Sequence, residues 1–155
     1  MRRLTFSIKV GVPKERLWEV LLTDDTYCKW TSVFREGSYA LTDWEPGSKA
    51  LFLTPDGNGM VSKIVAHRPG EFLCIQHLGF VKDGVEEIAG ADEKGWVGAF
   101  ENYTLKEEDG ISTLTVEMDV SEEYESFLCK TWPRALYKLK ELAESERPVE
   151  KAKPA

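Results

Sequence analysis

Glu101 is the side chain of this sequence best placed for acid–base chemistry or for orienting a polar group of a ligand. It shares strand parity with Tyr103 and Leu105, so it faces the interior of a sheet if those two side chains do. A buried carboxylate must be paired, hydrogen-bonded or protonated, because burying an isolated charge is too costly. In the alternative, the strand bulges or Glu101 lies near the end of the sheet, and its side chain stays in water.

His77 is the second candidate for acid–base chemistry, and its direction in the strand is open. It shares parity with Leu73 and Ile75, and either this set or the opposite one, Phe72, Cys74 and Gln76, faces the core. A ligand contact and a purely structural hydrogen bond are both open for its imidazole. The two histidines of the chain lie in different strands without cysteine or aspartate at ligand spacing, so we expect no metal and no cofactor.

Aromatic side chains recur in segments that would border the same interior. They favour a cavity for an apolar or aromatic molecule, although core packing alone also explains each of them. Trp96 stands out because it follows an acidic, glycine-bearing segment (Asp83–Gly95) that is typical of a loop over a cavity mouth. The predicted ligand contacts are Glu101 and His77 together with Trp30, Phe52, Phe80, Trp96, Tyr103 and Trp132.

Motifs for nucleophilic or nucleotide chemistry are missing from the sequence. There is no Gly-x-Ser-x-Gly turn and no P-loop, and Gly57 and Gly59 fit a hairpin turn. Three cysteines, Cys28, Cys74 and Cys129, have no metal-ligand spacing, so we expect reduced, buried thiols. No catalytic residue is assigned on this basis, and a binding function is favoured over an enzymatic one.

The elements that would position these residues are a strand, two short helices, five or six antiparallel strands and a long last helix. Leu4–Val10 alternates strictly, and Pro13 suits the first turn of a helix. Between turn signals, the later strands are predicted at Lys49–Thr54, Met60–His67, Phe72–Phe80, Val97–Lys106 and Ile111–Val120. A run of strands followed by one helix indicates an α+β fold.

The longest predicted element is an amphipathic helix over roughly Ser121–Ser145. Its apolar residues recur at spacings of three and four, from Tyr124 through Phe127 and Trp132 to Ala143, which places them on one face. Pro133 either kinks this helix or begins a new one. A helix of this kind packed on one face of a sheet often leaves a gap between the two layers, where a ligand can bind.

Size and charge limit the classes of function. The chain has 155 residues, which is most simply one domain over residues 1–146 and a polar tail (147–155) that we expect to be disordered. A formal charge of −7 argues against nucleic acid and anionic membrane as partners. No apolar run suits a membrane span or a signal peptide, so we expect a cytoplasmic protein. An exposed edge strand would permit a homodimer.

Four stretches in this order resemble the START-like (SRPBCC) superfamily, and within it the group named after the activator of a heat-shock-protein ATPase. They are the strand-to-helix entry Val12–Trp18, the hairpin Gly57–Val61, the penultimate strand Trp96–Leu105 and the last helix Trp132–Leu142. The resemblance implies a helix-grip fold, in which a curved antiparallel β-sheet wraps around a long C-terminal α-helix. It also implies an internal cavity for an apolar or aromatic small molecule.

Three hypotheses for function follow. In the first, the protein binds an apolar or aromatic small molecule between the sheet and the C-terminal helix. In the second, it is an enzyme of the cyclase or hydrolase type that uses Glu101 and His77 as acid–base groups. In the third, it is a chaperone-linked interaction module, which would need an exposed apolar patch instead of a deep cavity.

Overall fold

The computed structural model describes residues 2–88 and 98–145, which form one curved antiparallel sheet and three helices. The sheet has eight strands, with the order β1-β8-β7-β5-β4-β3-β2, and β6 pairs with β5 beside this path. The strands are β1 (Arg2–Val10), β2 (Tyr39–Leu41), β3 (Lys49–Leu53), β4 (Gly59–Arg68), β5 (Phe72–Lys82), β6 (Val85–Ile88), β7 (Phe100–Glu108) and β8 (Ile111–Val120). This is the predicted helix-grip fold.

Two short helices follow β1. Helix α1 (Lys14–Leu22) begins directly after Pro13, whose carbonyl accepts the first helical hydrogen bond from Leu17 at 3.2 Å. Helix α2 (Asp24–Thr31) begins after Thr23 and carries acidic residues in its first turn, where the positive end of the helix dipole favours them. The indole of Trp30 donates to the carbonyl of Leu21 at 3.1 Å, which fixes α2 against α1.

The long helix α3 (Glu122–Glu144) is continuous through Pro133. Pro133 therefore begins no new helix, although it cannot donate to the carbonyl one turn before it. The buried face of α3 is formed by Thr131, Trp132, Ala135, Leu136, Leu139 and Ala143. The predicted face is wrong in the first two turns, because Tyr124 and Phe127 are 49% and 50% exposed.

The C-terminal end of α3 is fixed to α1 by Arg16. Its guanidinium donates to the carbonyls of Leu142 and Ala143 at 3.2 Å each. A cation at this end satisfies carbonyls that have no helical partner and complements the helix dipole. Glu144 accepts a hydrogen bond from the amide of Gly11 at 2.8 Å, so the turn after β1 is attached to the same helix end.

Two strands were not predicted from the sequence. β2 has only three residues. β6 lies in the segment Asp83–Gly95, whose sequence is typical of a loop. Asp83 (φ 49°) and Gly84 (φ 80°) form a tight two-residue turn that returns the chain along β5. Residues 89–97, which include the start of the predicted strand Val97–Lys106, and the predicted tail lie outside the described residues.

The cysteines differ in exposure, which corrects the prediction of three buried thiols. Cys74 is buried in β5, Cys28 is half-buried in α2, and Cys129 is exposed on α3. Cys129 faces solvent because it lies outside the stripe of α3 that contacts the rest of the protein. Within residues 2–88 and 98–145, no helix combines the length and apolar character needed to cross a membrane.

Candidate functional site

A chain of four polar side chains crosses the concave side of the sheet. The imidazole Nε2 of His77 lies 3.2 Å from Oε1 of Glu101, and its Nδ1 lies 2.7 Å from the hydroxyl oxygen of Ser62. The phenol of Tyr103 donates a hydrogen bond to the other carboxylate oxygen of Glu101. One oxygen of the carboxylate is therefore held by His77 of the neighbouring strand β5, and the other by Tyr103 of its own strand β7.

Strand register brings these residues together. Ser62 in β4 pairs with His77 in β5, and Ile75 pairs with Glu101 in β7, so the side chains project from adjacent positions of the same face. The open question of parity is answered by the packing of β5, since Leu73 and Ile75 belong to the core and His77 lines the cavity, whereas Cys74 does neither. Glu101 and Tyr103 also face inward, as their shared parity predicts.

A bulge in β5 follows His77. Met60 pairs with Phe80 while Ser62 pairs with His77, so β5 holds one extra residue, Leu78, between the two pairs. In an uninterrupted strand His77 and Phe80, which are three residues apart, would face opposite sides of the sheet. Because of the extra residue, they pair instead with Ser62 and Met60, which are only two residues apart in β4.

Aromatic rings form the walls of the site around Trp132 of α3. The ring centre of Trp132 lies 4.9 Å from that of Phe34, 5.9 Å from that of Trp30 and 6.2 Å from that of Tyr103. Phe52 of β3 lies 6.4 Å from the imidazole of His77 in an edge-to-face contact. Edge-to-face and tilted pairs at these distances are the favourable geometries for aromatic side chains.

These walls enclose a cavity of about 280 Å³ between the sheet, α2 and α3. That is close to the lower limit of small-molecule pockets, which are roughly 300–1,000 Å³. Its lining is mostly apolar, with the carboxylate of Glu101 and the imidazole of His77 among the polar groups. A pocket of this kind binds the body of a ligand by burial and orients it through a few polar contacts.

The carboxylate of Glu101 is ionised in this setting. Burial alone would raise the pKa of Glu101, but hydrogen bonds from His77 and Tyr103 and the charge of His77 together lower it below its ordinary value. The pKa of Tyr103 is raised well above its ordinary value by burial and by the adjacent charge of Glu101. Tyr103 therefore stays a hydrogen-bond donor at neutral pH.

Two ion pairs border the cavity. Arg35 contacts Asp56 at 2.6 Å, and Arg3 contacts Asp119 at 3.1 Å. Arg35 and Asp119 line the cavity, whereas their partners do not. The amide of Phe100 also donates to Asp119 at 2.9 Å, so the charged groups at the border are already engaged by protein partners.

Six of the eight predicted ligand contacts line this cavity: Trp30, Phe52, His77, Glu101, Tyr103 and Trp132. The structure differs from the prediction at Phe80, which is 41% exposed and is not a lining residue, although its pairing partner Met60 is one. Trp96 lies outside the described residues.

Sequence reasoning missed Tyr27, Phe34 and Ser62. Tyr27 and Phe34 lie seven residues apart, at α2 and just beyond it, a spacing that could have placed both on one side of that helix. Ser62 gave no signal, because its contact with His77 depends on the register between two strands.

Solved structures share this fold. MLL2253 from Mesorhizobium loti superposes with a TM-score of 0.75 at 15% identity, over 95% of this chain and 100% of that one. The Aha1 dimer from Colwellia psychrerythraea superposes with a TM-score of 0.68 at 19% identity, over 93% of this chain and 97% of that one. CalU16 from Micromonospora echinospora superposes with a TM-score of 0.65 at 16% identity, over 95% of this chain and 77% of that one.

No protein-family model matches the chain, and no curated protein matches it. At identities below one fifth, the three likenesses establish a common helix-grip fold and leave activity to be argued from the site itself.

Proposed function

We propose that this protein binds a small apolar or aromatic molecule in the cavity between the sheet and α3. The observation that carries the proposal is the cavity of about 280 Å³, whose lining combines aromatic walls with the oriented carboxylate of Glu101. Apolar walls supply affinity through burial, and one fixed polar group supplies orientation. The shared fold is compatible with this function but does not itself argue for a particular ligand.

A cavity-filling variant tests the proposal. Leu128 lines the cavity from α3, so Leu128→Trp should occupy part of the space without removing a core side chain. The matched control is Phe127→Trp, because Phe127 is the preceding residue, is 50% exposed and does not line the cavity. We expect a panel of apolar and aromatic metabolites to contain compounds that raise the melting temperature of the wild type and of the control but not of Leu128→Trp.

The size of the effect follows from mass action. A ligand at a hundred times its dissociation constant stabilises the folded protein by about 2.7 kcal/mol, which a thermal-shift assay detects easily. Native mass spectrometry of the purified protein would identify any copurified compound. Equal shifts for all three proteins would show that the compounds bind elsewhere, and the cavity would then lose its proposed role.

An acid–base enzyme is the second candidate, favoured by the contact between His77 and Glu101. A carboxylate and an imidazole at 3.2 Å, both at the wall of one cavity, can be within reach of the same ligand atom. If a bound compound is turned over, Glu101→Gln and His77→Ala should each lower kcat by about 10²–10⁴. Unchanged turnover in both variants would eliminate this candidate.

Two expectations from the sequence stay predictions. The chaperone-linked module needs an exposed apolar patch, for which half-exposed Tyr124 and Phe127 on α3 are candidate residues. A homodimer could form through an edge of the sheet, because β1 and β2 are the end strands of the order formed by the described residues. The Aha1 structure is of a dimer of that protein, which makes the oligomeric state of this chain worth measuring.

A further inference from the structure

The carboxylate of Glu101 keeps hydrogen-bonding capacity for a ligand. An ionised carboxylate has about four acceptor positions. His77 and Tyr103 each use one, on different oxygens. The side chain of Glu101 is 19% exposed and lines the cavity, so the remaining acceptor positions are accessible from within it. A ligand group that donates several hydrogen bonds at once fits this arrangement.

The aromatic walls favour positive charge in the same space. Ring faces carry the negative part of the aromatic quadrupole, and they attract a cation held within about 6 Å of the ring centre. Tyr103, which donates a hydrogen bond to Glu101, lines the cavity. The other aromatic lining residues are Tyr27, Trp30, Phe34, Phe52 and Trp132. A carboxylate among several rings is a typical environment for an ammonium group.

His77 is held at both ring nitrogens. Its Nε2 lies 3.2 Å from Glu101 and its Nδ1 lies 2.7 Å from the Ser62 hydroxyl, so the imidazole is fixed in place and occupies one acceptor position of the carboxylate. Ser62 is fully buried, so it acts as a positioning residue for the imidazole and does not reach a ligand.

Anionic ligands are disfavoured by the same residues. Among the described lining residues, the basic side chains are Arg35 and His77, and Arg35 already contacts Asp56 at 2.6 Å. An anion in the cavity would lie near the charge of Glu101 and of Asp119. We propose that the cavity takes its ligand as a cation: a small aromatic or apolar amine whose ammonium group lies against Glu101 and the surrounding rings. This inference rests on the proposed binding function and names the chemical class of the ligand.

Three probes with one body and different charges test the inference. They are 2-phenylethylamine, 2-phenylethanol and phenylacetate, with binding measured by isothermal titration calorimetry at neutral pH. We expect the amine to bind the wild type about tenfold or more tighter than the alcohol, because charge-assisted hydrogen bonds and cation–π contacts add to the same apolar burial. The acid should bind most weakly.

Glu101→Gln should remove the preference for the amine and leave binding of the alcohol within about twofold, because it deletes the charge and keeps the size. Glu117→Gln is the matched control, since Glu117 lies in β8 and does not line the cavity. If Glu101→Gln fails to fold, Phe52→Leu keeps apolar volume and loses one ring face, and it should weaken the amine more than the alcohol.

The outcomes separate this inference from the proposed function. Equal binding of amine and alcohol, or tightest binding of the acid, would overturn the inference while the cavity keeps its binding role. A preference for the amine that survives Glu101→Gln would also overturn it, because Glu101 would not be the partner. Absence of binding by all three probes overturns it as well, and the Leu128→Trp experiment then judges the proposed function independently.

Discussion

At the residue scale, the site depends on the carboxylate of Glu101, which has a defined neighbour on each oxygen. Glu101 could be selected from the sequence because it shares parity with Tyr103 and Leu105 in a clear strand. His77 could also be selected, but its contacts with Glu101 and Ser62 could not be predicted, because they depend on the register between β4, β5 and β7. Local alternation predicts the face of a residue, whereas register decides which residues it meets.

The pH dependence of the free energy of unfolding should reveal the ionisation of Glu101. Its pKa is lowered in the folded protein, so the folded state binds this proton less readily than the unfolded chain. The resulting stability is fully present above the unfolded value, about 4.3, and is lost as the pH falls through the folded value. One group contributes a slope of at most about 1.4 kcal/mol per pH unit to the free energy of unfolding.

Urea unfolding of the wild type and Glu101→Gln from pH 7 to pH 3 measures this contribution. Asp43, Asp56, Asp119 and Glu144 also have lowered pKa values, but they are present in both proteins and cancel in the difference. We expect any advantage of the wild type over the variant to shrink below about pH 4.3. A difference that stays constant over the whole range would mean that the fold does not favour the ionised form.

At the element scale, prediction succeeded where a regular pattern extends over many residues. β8 matches its predicted bounds, and β1 and the body of α3 follow from strict periods of two and of three to four residues. β2 was missed because three residues carry no measurable period. β6 was missed because its segment Val85–Ile88 contains two adjacent glutamates.

Departures from regularity limited the prediction of the site. The bulge at Leu78 interrupts the alternation of β5, so the inward position of His77 does not give that of Phe80, which pairs with the cavity-lining Met60 but is 41% exposed. The exposure of Tyr124 and Phe127 has a similar origin, because an amphipathic pattern gives the direction of a helix face but not how far its supporting surface extends.

At the scale of the whole molecule, the cavity is a consequence of the two layers. At the C-terminal end of α3, Arg16 of α1 attaches the helix, and small and aliphatic residues such as Leu139 and Ala143 are fully buried. Near Trp132, bulky rings lie between the layers, and the cavity lies among them. Its position was predictable from the architecture, but its polar wall required the register of the strands.

The net charge of −7 acts on the same ligand over a longer range. A negative protein attracts a cation before contact, so salt should slow the association of 2-phenylethylamine and leave that of 2-phenylethanol almost unchanged. Between about 0.01 M and about 1 M salt the screening length falls from about 30 Å to about 3 Å, and we expect the association rate of the amine to fall roughly tenfold. Stopped-flow quenching of tryptophan fluorescence can follow binding, since Trp30 and Trp132 line the cavity. Equal salt dependence for the two probes would mean that the ligand does not enter as a cation, because only a charged probe can respond to the field of the protein.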